Sequence, residues 1–131
     1  MKVSDKEIKA VSKLGAFERY QYFIKRVADS ETMYSLIGED GNFALADVEN
    51  TVLFSVWSAP EFALACAEGE GIWKNFSVKE ILMEEFEDNI INEIEKNKWL
   101  INVFAIKNTS GFIVDLNELA KDLNEERKKY H

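Results

Sequence analysis

The chain has 131 residues, of which 47% are hydrophobic and 31% charged, and its formal net charge is −8. This length and apolar content predict a single domain, residues 1–131, with a core of its own. No apolar run approaches the ~20 residues that a membrane span needs, and the charged N-terminus does not resemble a signal peptide. The only cysteine, Cys66, cannot form an internal disulfide, so we expect a protein of the reducing cytoplasm.

The charges are distributed unevenly along the chain. Residues 1–30 contain seven Lys/Arg and four Asp/Glu, and residues 31–73 contain eight Asp/Glu and no Lys or Arg. Such an anionic stretch repels phosphate backbones, which argues against nucleic-acid binding, and it attracts a basic protein partner. Asp40, Asp47 and Glu49 are the acidic binding candidates. Two alternatives stay open: the N-terminal lysines balance these charges within the molecule, or the charges are simply solvated.

The predicted helices follow capping signals and apolar periodicity. Ser4 with Glu7 and Ser58 with Glu61 have the spacing of a capping box, in which each side chain bonds the backbone N–H of the other residue. Pro60 suits the first turn of the helix after Ser58. The alanines of that helix are small side chains, which allow its axis to lie close to a sheet. The helices are predicted at residues 5–14, 16–28, 61–68 and 84–96, and after Asp115.

The predicted strands are alternating or wholly apolar runs between turn residues. They are expected at residues 32–37, 43–46, 51–57, 78–82, 99–107 and 112–114. The run 51–57 is apolar on both faces, which is typical of a central strand, and the first three strands are predicted to form a meander. The order ααβββαβαββα predicts an α+β fold, a mixed and mostly antiparallel sheet with helices packed on it.

The chain offers few residues for catalysis or metal binding. The only histidine is His131, the last residue, and Cys66 lies among alanines, far from that histidine in the sequence. No phosphate-binding glycine loop and no zinc or calcium pattern occurs. We therefore predict no catalytic residue, no metal and no cofactor, and we favour a non-enzymatic protein.

Aromatic residues near turns provide a second set of candidates. Trp57 ends the central strand, Glu61 follows it, and Trp73 lies in the loop after the third helix. They are interpreted as core packing and capping, or as the rim of a recognition surface, because tryptophan is frequent at binding hot spots. On the second helix, Arg19 and Tyr22 are predicted to be more exposed than Tyr20, which lies on the apolar stripe.

Two segments resemble a known family. The run from Glu18 to Asp29, with Arg19-Tyr20 and Tyr22-Phe23, and the run Val56-Trp57 with Pro60-Glu61 resemble a bacterial family catalogued as domain of unknown function 2750. Ser55 stands where members of that family often carry proline. The layout is also similar, less closely, to SseB-like domains. The first resemblance covers nearly the whole chain and implies a small bacterial cytoplasmic protein, with no activity attached.

Three functional hypotheses follow from these patterns. The leading one is a non-enzymatic acidic protein-binding module, of the immunity or adaptor type, with a basic partner. The alternative is a small enzyme or ligand-binding domain with a cleft near Trp57 and Trp73. The third is a structural or oligomeric module, and the sequence leaves the oligomeric state open.

Overall fold

The computed structural model describes residues 3–68, 75–106 and 109–130, which form five helices and six strands. The helices are α1 (Asp5–Ser12), α2 (Ala16–Ser30), α3 (Pro60–Glu68), α4 (83–97) and α5 (Leu116–Arg127). The strands are β1 (Thr32–Ile37), β2 (Leu45–Val48), β3 (Thr51–Val56), β4 (Ser77–Leu82), β5 (Leu100–Val103) and β6 (Phe112–Val114). The α+β class and the element order predicted from the sequence are confirmed.

The helix ends show which capping signals act. Ser4 Oγ accepts a hydrogen bond from the backbone N–H of Glu7 at 3.1 Å, and Asp115 Oδ1 accepts from that of Glu118 at 2.8 Å. These bonds satisfy N–H groups that a first helical turn leaves without a helical acceptor. Helix α4 departs from a regular α-helix, because its segment Phe86–Ile90 forms a π-turn.

The strands form two sheets. Strand β1 pairs with β4, antiparallel, and the second sheet has the order β2-β3-β5-β6. Strand β3 is central, with β2 antiparallel on one side and β5 parallel on the other, and β6 is antiparallel to β5. The sheet is therefore mixed and mostly antiparallel, as predicted.

Two details of the strand prediction are wrong. The first three strands do not form a continuous meander, because β1 makes its ladder with β4. It meets the chain of the other sheet at the isolated bridges Ile37–Phe43 and Tyr34–Trp57, and Ser35 Oγ donates to the carbonyl oxygen of Ser55 on β3 at 2.6 Å. The predicted strand 99–107 is shorter, because Phe104 adopts a left-handed backbone conformation with φ of 65°. Such a conformation ends the extended backbone.

The core lies where the helices pack on the sheets. Its fully buried large side chains come from all parts of the fold and include Phe23 of α2, Phe54 of β3, Phe86 of α4 and Leu119 of α5. They belong to one contiguous apolar cluster. Within the described ranges, no helix is both long enough and apolar enough to cross a membrane.

Candidate functional site

Trp57 lies in the core rather than on a surface. Its side chain is fully buried, and its Nε1 donates to the carbonyl oxygen of Ala105 at 2.7 Å. Burying the indole with its N–H satisfied is the usual state of a core tryptophan. Trp57 is therefore a core-packing residue and not part of the rim of a recognition surface. Trp73, its predicted neighbour at the cleft, lies outside the described residues.

The capping box predicted at α3 does not form. The helix begins at Pro60, so Ala59 occupies the N-cap position and Ser58 lies one residue outside it. Ser58 Oγ is inaccessible and lacks a hydrogen-bond partner among the described residues. Glu61 Oε2 instead accepts a hydrogen bond from the backbone N–H of Val3 at 3.4 Å. Its other carboxylate oxygen, Oε1, is inaccessible and has no hydrogen-bond partner among the described residues.

A cleft opens next to this helix start. It has a volume of about 240 Å³ and is lined by the end of α2, by β1 and by the turn before α3. Its polar side chains are those of Arg26, Asp29, Ser30, Thr32 and Tyr34. Burial, followed by repulsion from Glu80, raises the pKa of the Tyr34 phenol. Its hydroxyl donates to Glu80 Oε2 at 3.4 Å, so towards the cleft it offers an acceptor. The cleft is lined by Ser58, whereas Glu61 is not among its lining residues.

Arg19 is buried, so the prediction that it is exposed is wrong. Its guanidinium donates to the carbonyl oxygens of Phe104 at 3.0 Å, of Leu14 at 2.6 Å and of Ser110 at 3.3 Å. Burial lowers the pKa of this guanidinium. The planar guanidinium thus links three separate segments of the chain through their carbonyl groups. Arg19 therefore stabilises the fold and is not accessible to a partner.

Tyr22 is half-buried and bonded within the molecule. Its hydroxyl donates to the Glu7 carboxylate, which ties α2 to α1, and its ring packs edge-on against Phe104 at 5.8 Å between centroids. Burial and this hydrogen bond raise the pKa of Tyr22. Its contacts are those of a packing residue at the rim of the core.

The three acidic candidates are all exposed. Asp40 accepts two hydrogen bonds from Asn42, which lower the pKa of its carboxyl. Asp47 lies on β2, and Glu49 lies in the tight turn to β3, where Glu49 and Asn50 both have positive φ. None of the ion pairs formed by the described residues involves these three carboxylates.

The structure also shows a surface that the sequence patterns did not reveal. Phe17, assigned to the buried stripe of α2, is 53% exposed, and Ile113 on β6 is 43% exposed. The residues of α5 beside them are acidic. Only tertiary structure brings α2, β6 and the start of α5 together, so helical periodicity alone could not have identified this surface.

Comparison with known proteins supports the first of the two resemblances. A family model described as "protein of unknown function (DUF2750)" matches residues 20–123, which is most of the chain. This match does not support the resemblance to SseB-like domains. No curated protein matches the chain. The matched range contains the buried Trp57, the helix start at Pro60 and the three acidic candidates. The chain therefore belongs to the DUF2750 family of proteins of unknown function.

Proposed function

We propose that this protein is a non-catalytic binding module whose acidic face binds a basic protein partner. The observation that supports the proposal is the state of Asp40, Asp47 and Glu49: all are exposed, and over the described residues none is ion-paired. Among the described residues, no lysine of α1 or α2 forms an ion pair with these three carboxylates. Their charge is therefore available to a cationic partner.

Strand β2 supports the same proposal. It is a terminal strand of its sheet, and it exposes apolar Leu45 on the same side of the sheet as Asp47. Val48 is exposed too, on the opposite side. Apolar groups surrounded by charged ones are typical of binding surfaces, in which buried area provides affinity and charge steers the encounter. Asp47 lies within the strand, Glu49 follows it directly, and Asp40 lies in the turn that precedes it by five residues. The strand itself, with four residues at ~3.3 Å each, is about 13 Å long.

The experiment compares two variants of equal net charge. Affinity purification and mass spectrometry identify the partner, and its affinity for the purified protein is then measured. The variant Asp40→Lys/Asp47→Lys/Glu49→Lys is expected to weaken binding at least ~10-fold, and wild-type binding is expected to weaken as salt rises. The matched control, Glu84→Lys/Asp88→Lys/Glu95→Lys, makes the same charge change on exposed positions of α4. Equal affinity of wild type and the first variant would eliminate the acidic face as the binding site.

An immunity protein and an adaptor differ in what their partner does. If the partner is a toxin, co-production with this protein is expected to restore growth of the host cell, and the triple lysine variant is expected not to restore it. If the partner is a component of a larger assembly, binding leaves growth unchanged and joins the partner to a third protein. A growth assay with the identified partner separates the two forms.

A second candidate function, a small enzyme or ligand-binding domain, is supported by the cleft beside α3. Ser58 Oγ and Glu61 Oε1 are inaccessible polar atoms without a partner within the described ranges, and unpaired buried polar atoms are costly. A small molecule with hydrogen-bond donors, such as a primary amine, would satisfy them only after the turn at Ser58 moves aside, because both atoms are inaccessible. Thermal unfolding with a panel of amines and amino acids at millimolar concentration tests this function. A rise in Tm that Glu61→Gln abolishes supports it, and no rise with any compound removes it.

A further inference from the structure

At the edge of the sheet opposite β2, an exposed apolar patch lies between α2, β6 and α5. We call it the Phe17 surface and define it by six residues: Phe17, Phe112, Ile113, Asp115, Glu118 and Asp122. Two adjoining clefts of about 390 and 420 Å³ share Phe17, Tyr20 and Asp122. A patch of this kind, apolar at its centre and polar at its rim, is the usual form of a binding surface.

The apolar centre of this surface is held in place by packing. The Phe17 ring lies edge-on to Phe112 with centroids 5.3 Å apart, and the Tyr20 ring lies 4.9 Å from that of Phe112. Tyr20 in turn donates its hydroxyl hydrogen to Asp122 Oδ2 at 2.5 Å. Because the rings support one another, Phe17 can be exposed without being free to move, and an ordered surface loses little entropy when a partner binds.

The rim of this surface is anionic on the side of β6 and the start of α5, whereas the smaller cleft is lined by Lys25 and Lys129 as well as by acidic residues. Asp115, Glu118 and Asp122 follow one another along the first two turns of α5 and line the larger cleft. Hydrogen bonding to Asp122, together with repulsion by it, raises the pKa of Glu118, while the charge of Lys121 acts in the opposite direction. A lysine or arginine from a partner would relieve that repulsion.

We propose that the Phe17 surface is a second docking site, which binds a protein segment carrying a large apolar side chain flanked by lysine or arginine. The apolar side chain packs on Phe17 and Ile113, and the cations pair with Asp115 and Glu118. Charge complementarity favours a cationic partner segment over a second copy of this chain. A second copy of this chain, with its net charge of −8, would bring like charges together at the same patch.

The Phe17 surface is separate from the acidic face of β2. The sheet order β2-β3-β5-β6 places three strand spacings between the two edges, about 14 Å at ~4.8 Å per spacing. Variants at one edge therefore leave the other edge intact. The two binding proposals can fail independently.

The test uses a fluorescein-labelled peptide of alternating lysine and leucine residues, and fluorescence anisotropy gives its Kd. The variants are Phe17→Ser and Asp115→Asn/Glu118→Gln; asparagine can still cap α5. Each is expected to weaken binding at least ~10-fold at about 50 mM salt. The matched controls are Leu64→Ser, which replaces another exposed apolar residue on α3, and Glu93→Gln/Glu95→Gln on α4; both are expected to change Kd less than ~2-fold.

Further measurements establish whether the peptide binds at the Phe17 surface itself. Circular dichroism and thermal unfolding show whether each variant is folded, and amide chemical-shift changes in the wild type are expected at α2, β6 and α5. No binding by the wild type at about 1 mM peptide overturns the proposal. Chemical-shift changes confined to β2, with affinity unchanged in Phe17→Ser, also overturn it and assign the peptide to the β2 face. Light scattering that shows a dimer, lost in Phe17→Ser, assigns the surface to self-association and also overturns it.

Discussion

The guanidinium of Arg19 and the backbone of Phe104 are joined by a buried hydrogen bond, from Nε to the carbonyl oxygen at 3.0 Å. Phe104 is the residue at which β5 ends in a left-handed conformation. Its backbone N–H still donates to the Val56 carbonyl of β3, so the strand pairing continues to this residue and stops there. A left-handed phenylalanine is uncommon and persists only where its surroundings fix it. We infer that Arg19, which also binds the backbone at Leu14 and Ser110, is part of that fixation.

Replacement of Arg19 is therefore expected to destabilise the fold. Arg19→Met keeps most of the apolar stem but leaves three carbonyls without their donor, and the expected loss is about 2–4 kcal/mol in the free energy of unfolding. Arg19→Lys is expected to recover only part of it, because a single ammonium cannot reach three separate carbonyls in the same geometry. Urea unfolding measures both. Lys25→Met, on an exposed position of the same helix, is the control, and an equal loss there would contradict the role of Arg19.

Local patterns in the sequence were sufficient to predict most of the fold. The strands at 32–37 and 112–114 have the predicted bounds, and the helix starts at Ser4 and Asp115 use the predicted caps. These features depend on residues two to four positions apart, which is the range over which periodicity and capping act. The central position of β3 was also predictable, because both of its faces are apolar.

Apart from the capping box of Ser58 and Glu61, which does not form, the errors concern contacts between distant residues. Helical periodicity predicts an exposed Arg19 because its neighbour Tyr20 lies on the apolar stripe, yet the partners of Arg19 lie up to 91 positions away in the chain. Phe17 fits an apolar helical stripe, yet no element covers it fully. No local pattern specifies the left-handed Phe104 or the pairing of β1 with β4. For the same reason the composition identified an acidic middle segment but not the Phe17 surface, whose parts come from both ends of the chain.

Two capping serines provide a direct comparison of a formed and an unformed cap. Ser4 accepts the N–H of Glu7, whereas Ser58 Oγ has no partner among the described residues. Ser4→Ala is expected to cost about 1 kcal/mol in the free energy of unfolding, as loss of an N-cap usually does. Ser58→Ala is expected to change stability by less than ~0.5 kcal/mol or to increase it slightly, because it removes an unsatisfied buried hydroxyl. Urea unfolding decides, and a larger loss from Ser58→Ala than from Ser4→Ala would show that Ser58 has a partner in solution.

Gly111 lies where the chain returns towards β5. Its backbone N–H donates to Asn102 Oδ1 at 2.8 Å, and a Cβ added at Gly111 would lie 2.0 Å from the carbonyl oxygen of Val103. Backbone cannot give way as a flexible side chain can, so Gly111→Ala is expected to cost about 3 kcal/mol or more.

Gly41 is the matched control for this prediction. It has a positive φ of 84° but open space around it, so Gly41→Ala incurs only the conformational penalty, about 1 kcal/mol. Thermal or urea unfolding of the two variants gives the comparison. A smaller loss for Gly111→Ala than for Gly41→Ala would mean that the β5–β6 connection can move away from the new methyl group.

Alkaline pH is expected to destabilise the protein through Tyr20 and Tyr22. Burial and hydrogen bonds to Asp122 and Glu7 raise the pKa of both phenols above the usual value of about 10. The unfolded chain then loses these protons at a lower pH than the folded chain does. The free energy of unfolding contributed by each phenol is therefore fully present below pH ~10 and falls by about 1.4 kcal/mol per pH unit above it.

The prediction is tested by urea unfolding at several pH values between about 9 and 11. Tyr20→Phe/Tyr22→Phe is expected to lower stability at neutral pH, since two hydrogen bonds are lost, but to flatten the decline above pH ~10 by up to about 2.7 kcal/mol per pH unit. Tyr130→Phe, on a 45% exposed side chain, is the control. If the double variant loses stability with pH as steeply as the wild type, the folded protein ionises these phenols as readily as the unfolded chain does. Their hydrogen bonds to Asp122 and Glu7 would then contribute nothing to the pH dependence.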